Sequence, residues 1–101
     1  MSTSSRLYYR RAFLNRPRHH LGAHVIAEVS ADTYANGGDR LDASIHLADC
    51  YRCIDIDLSA GTRREASNAL HKIALLRTIL EEVETAMTAG LEELDLRPMG
   101  R

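Results

Sequence analysis

Alternating apolar residues over 21–58, then apolar residues stepping by three and four over 63–89, predict an α+β domain. Its expected form is a three-stranded antiparallel β-meander packed by one long C-terminal α-helix. A basic, aromatic segment at 6–16 adds a short N-terminal helix or basic arm, so the elements run in the order α-βββ-α. A length of 101 residues fits one domain with one core of modest size. The expected division is an arm or short helix at 1–20, a single βββα domain at 21–96, and a tail at 97–101.

The segment MSTSS at 1–5 carries no structural signal and is expected to be disordered. In RLYYRRAFLNR, residues Leu7, Arg10, Arg11 and Leu14 fit helical spacing, and Pro17 ends the element by pushing its neighbour out of the helical region. From 21 the period becomes two. Leu21, Ala23, Val25, Ala27, Val29 and Ala31 share one side, and His24, Glu28 and Ser30 the other. ANGGD at 35–39 supplies the asparagine and glycines of a hairpin turn. With that turn, pairing Val29 with Ile45 would set His24 opposite Cys50.

The second strand places Leu41, Ala43, Ile45 and Leu47 inward, with Asp42, Ser44 and His46 outward. After DCYRC the parity inverts, because Ile54, Ile56 and Leu58 are apolar. A tight reversal at 49–52 explains this by pairing Leu47 with Ile54 and His46 with Asp55. Thr62 with Glu65 has the spacing of a helix capping box. Ala66, Ala69, Leu70, Ile73, Leu76, Leu80, Val83 and Met87 then form one apolar stripe, and Gly90 is a natural break.

A helix of that length spans ~40 Å, against ~20–27 Å for the strands. Its C-terminal part therefore outruns the sheet and carries an apolar face that needs another surface. Leu80, Val83, Met87 and Leu91 are the expected protein interface, with a homodimer or a host protein as partner. Heptad spacing from Ile73 to Met87 is too short for an independent coiled coil.

Charge is unevenly distributed. Residues 1–20 hold five arginines and no acid, whereas 21–101 hold eight basic and fourteen acidic residues. Arginine accounts for all basic residues except Lys72, as a GC-rich coding sequence produces, which suits a bacterial or phage accessory protein. No apolar run is long enough to cross a membrane and no secretory signal follows the basic start, so a cytoplasmic location is expected.

Cys50 and Cys53 are the only cysteines and form a C-x-x-C. With His24 and His46 on the polar face, the pair would supply four zinc ligands. The turn lacks the glycine or proline usual at such sites, and two ordinary cysteines without a cofactor are the expectation. A redox role needs the pair at a helix N-terminus, and here it lies between strands. The zinc deaminase pattern fails too, because His24-Val-Ile-Ala-Glu28 has the wrong spacing and Asp49 replaces the proline. His46 facing Asp55, with Glu28 beside it, lacks a nucleophile, so no enzyme is expected.

The basic, aromatic arm also suits phosphate backbones and stacked bases. Arg6, Arg10, Arg11, Arg16, Arg18, Arg63 and Arg64 are therefore the residues of an alternative, nucleic-acid-binding reading. Thr62-Arg63-Arg64-Glu65-Ala66-Ser67-Asn68-Ala69, together with the α-βββ-α order, resembles double-stranded-RNA-binding domains, in which a basic helix start grips phosphates. Ser67 stands where that family has a third basic residue, and ANGGD lacks its proline–histidine signature, so no membership follows. The leading expectation is a small non-enzymatic protein-interaction module.

Overall fold

The computed structural model describes residues 2–18, 22–34 and 37–96. Among the described residues four strands precede one helix: β1 (Ser2–Phe13), β2 (His24–Tyr34), β3 (Arg40–Asp49), β4 (Arg52–Asp57) and α1 (Arg63–Glu93). The strands form one antiparallel sheet in the order β1-β2-β3-β4. The α+β class stands, but the α-βββ-α order does not. The expected N-terminal helix is instead a fourth strand, and the order that resembled double-stranded-RNA-binding domains is lost with it.

The physical reason lies in β2. Without β1, eleven residues of β2 would present a bare row of backbone donors and acceptors along one edge. β1 satisfies them over the whole span from Ser2 opposite Tyr34 to Phe13 opposite His24. Tyr8, Tyr9 and Phe13 favour strands, while the apolar helical face at 6–16 was thin. Even the serines at 2–5, expected to be disordered, are paired, because ladder bonds need only backbone. A bulge between Arg6 and Tyr8 absorbs Leu7 as an extra residue.

The second hairpin forms in the expected register, with Leu47 opposite Ile54 and His46 opposite Asp55. The first hairpin differs. Ala27, not Val29, faces Ile45, and the last pair is Asp32 with Arg40. The loop is longer than a tight ANGGD turn, which slides the strands by two residues. A slip of two preserves the faces. It does move His24 opposite Ala48 rather than Cys50.

The chain leaves β4 still attached to β3. Leu58 N donates to Ala43 O at 2.8 Å, and Ala43 N donates to Ser59 Oγ at 3.1 Å. Leu41 and Ala60 then exchange backbone bonds of 2.9 and 2.8 Å. The serine hydroxyl thus replaces a ladder partner where the segment bulges. The helix starts as predicted: Thr62 Oγ1 accepts from Glu65 N at 3.1 Å. Glu65 Oε1 accepts from Gly61 N at 2.7 Å, one residue upstream of the usual capping-box partner.

The chain divides into two units, Met1–Leu70 and His71–Arg101. In the first, Ala43, Leu58 and Ala69 form the core, with Val29, Ile45 and Ile56 packed against it. Among the described residues the buried set is Ala23, Ala43, Ala48, Leu58, Ala60 and Ala69, so Leu58 is its one large side chain. The second unit is the rest of α1 and its cap. Gly90 does not break the helix, which continues to Glu93. Asp95, at φ 55°, reverses the chain. Leu96 N then donates to Leu91 O at 2.7 Å and Asp95 N to Glu92 O at 3.2 Å. This is a Schellman cap without glycine.

Candidate functional site

The predicted interface residues lie on α1. Leu80 is 68% exposed, Val83 48% and Met87 58%, and Leu91 is half-buried; Ile73 and Leu76 lead into them at 37% and 38%. These positions follow one another at steps of three and four, so they line one side of the helix. Their exposure is uncommon for a row of large aliphatic side chains, which ordinarily finds cover. Leu75 and Ile79 are also exposed and widen the face beyond the a/d seam.

The polar face of the sheet collects the chemistry-bearing residues. Pairing places Tyr9, Arg11 and Phe13 opposite Glu28, Ile26 and His24 on that face, and Arg10 opposite Ala27 on the other. Arg6 Nη2 lies 3.4 Å from Glu28 Oε1, and its guanidinium covers the Tyr9 ring at 4.7 Å. The arginines expected to act together are thus split between two faces by strand alternation. Arg16 and Arg18 lie in the exposed β1–β2 loop, and Arg63 and Arg64 at the exposed start of α1.

His46 Nδ1 lies 2.5 Å from Asp55 Oδ1, and the His24 and His46 rings are 5.7 Å apart. Sequence reasoning placed His46 and Asp55 together correctly, because a two-residue turn leaves one register. Cys50 and Cys53 are exposed and form no disulfide. Cys50 occupies the first of the two central turn positions with φ 59°, and Cys53 sits in β4 opposite Ala48. Among the described residues no group of three or more His, Cys, Asp or Glu could hold a metal ion. His19 and His20 lie outside the described residues.

One pair was not anticipated. Asp32 and Asp42 lie on the polar face beside the first hairpin, where Arg40 Nε donates to Asp42 Oδ1 at 3.2 Å. The hydrogen bond with Asp32, then loss of water, holds the Asp42 carboxyl above its ordinary value. Asp32 is held below its own by hydrogen bonds from Asp42 and Ser4. The sequence signal was the hairpin register: pairing Val29 with Ile45 already sets Asp32 across from Asp42, and the observed register leaves the two diagonal, with Ser30 opposite Asp42. A cavity of about 410 Å³ opens at the far end of the sheet, lined by Leu14, Ala23, Leu47, Ala48, Cys53 and Ile54 among others.

Among the described residues no helix is long and apolar enough to cross a membrane. No protein-family model matches this chain, and no characterised protein or solved structure is significantly similar to it.

Proposed function

We propose that this protein is a small interaction module, without chemistry of its own, that docks through the apolar face of α1. The observation that carries this reading is the exposed row Ile73, Leu76, Leu80, Val83 and Met87 on one side of a 31-residue helix. Fully burying one such side chain is worth roughly 1.5–3 kcal/mol. A row of them at helical spacing is what an amphipathic helix brings to a partner surface. The nucleic-acid reading is supported less well, because β1 divides Arg6 and Arg11 from Arg10 and Glu28 engages Arg6.

The test is Leu80→Glu in the full chain. Leu80 lies in the second unit and is not part of the sheet core. Sedimentation equilibrium should show that the wild-type assembly is lost in the variant, with the sheet signal in circular dichroism retained. Identical masses for variant and wild type would refute the reading.

A further inference from the structure

Resting on that reading, we infer that the partner of α1 is a second copy of α1, packed antiparallel, with Leu80 of one copy against Val83 of the other. The argument comes from the charges beside the stripe. In heptad terms Ile73, Leu80 and Met87 occupy a positions, and Leu76, Val83 and Gly90 occupy d positions. The flanking g positions hold Lys72, Ile79, Ala86 and Glu93, and the flanking e positions hold Arg77, Glu84 and Leu91.

Orientation decides which flanks meet. In a parallel pair, g of one helix meets the following e of the other, which sets Lys72 against Arg77 twice, a repulsive contact. In an antiparallel pair, e meets e and g meets g. With Leu80 set against Val83, the same register aligns Leu76 with Met87 and Ile73 with Gly90. It also brings Arg77 to Glu84 and Lys72 to Glu93, each twice by symmetry. Every charged flank then meets its opposite, and the large Ile73 meets the one residue with no side chain. A Cβ built at Gly90 meets nothing within 4 Å in the single chain, so the space there is open.

The charge order along α1 points the same way. Arg63 and Arg64 open the helix, Lys72 and Arg77 follow, and Glu92 and Glu93 close it with no basic residue in the last turn. This opposes the helix's own dipole, which favours acids at the start and bases at the end. A reversed copy offsets it, because each acidic end then lies beside the other copy's basic half. A second copy fits better than an unrelated partner because the pattern is complementary to its own reverse. Between two and three heptads bind weakly, so the dimer should be concentration-dependent.

The experiment is sedimentation equilibrium of the full chain over a wide concentration range, with Arg77→Glu, Glu84→Arg and the double exchange. Helicity is checked by circular dichroism in each. The expected result is a wild-type dimer, each single exchange raising Kd on the order of tenfold, and the double exchange restoring it. In a parallel dimer Arg77→Glu would face Lys72 and tighten binding, which would overturn the orientation. A wild-type monomer, a trimer, or a double exchange that fails to restore binding would also overturn it. Loss of the assembly in Leu80→Glu, combined with tightening in Arg77→Glu, would retain the docking face and reject only its antiparallel partner.

Discussion

Cys50→Gly should stabilise the protein, and the size of the effect follows from one angle. Asp49 pairs with Arg52, so Cys50 and Tyr51 alone form the turn between β3 and β4. Cys50 has φ 59°, while Tyr51 has no positive φ. Such two-residue loops with a positive first φ favour glycine there, because its missing Cβ removes a clash with the backbone. Holding an L-residue in that conformation costs roughly 1–2 kcal/mol. Glycine gives back roughly 0.5–1 kcal/mol through its freer unfolded chain. The net gain is about 0.5–1 kcal/mol, or a rise in Tm of about 2–8 °C for a domain of this size. The assay is thermal unfolding followed by circular dichroism, with Cys50→Ala as control. Alanine also removes the thiol but keeps the Cβ, so Gly minus Ala isolates the backbone term. A glycine variant no more stable than the alanine variant would refute the reasoning.

Leu58→Ala removes the one large buried side chain of the core and should cost about 2–5 kcal/mol in urea unfolding. A loss under about 1 kcal/mol would mean that the β4–α1 segment does not anchor the sheet. Thr62→Ala leaves the Glu65 amide without its cap and should cost about 1 kcal/mol, visible as a lower Tm. Asp42→Asn should raise Tm at neutral pH, because the raised Asp42 carboxyl disfavours folding once pH climbs above its folded value, and the amide supplies a donor to Asp32 without a charge. Below the ordinary carboxylate value of 3.8 both states hold that proton, so the gain should vanish in acid. Equal gains at both pH values would contradict a raised Asp42 carboxyl.

How far the fold could be read in advance depended on the reach of each interaction. The capping residues Thr62 and Glu65 and the pairing of His46 with Asp55 were legible because each is settled within a few residues. Alternation showed which faces of β2, β3 and β4 are apolar. The apolar face of α1 was equally plain, since helical spacing is a property of one segment.

Other features depended on partners distant in sequence. Residues 6–16 carry a weak helical pattern, yet residues 2–13 become a strand because β2 offers an open edge, and nothing within the segment records that edge. The longer first loop leaves register to the sheet, so Asp32 lies opposite Arg40 rather than straight across from Asp42. Gly90 continues the helix because nothing there demands a turn, whereas Asp95 takes the reversal. By itself the sequence determined period, the helix's N-terminal cap and the tight turn, all local matters of backbone and side-chain geometry. The tertiary structure decided which segments pair and which surfaces stay open, because those free energies belong to contacts between residues far apart in the chain.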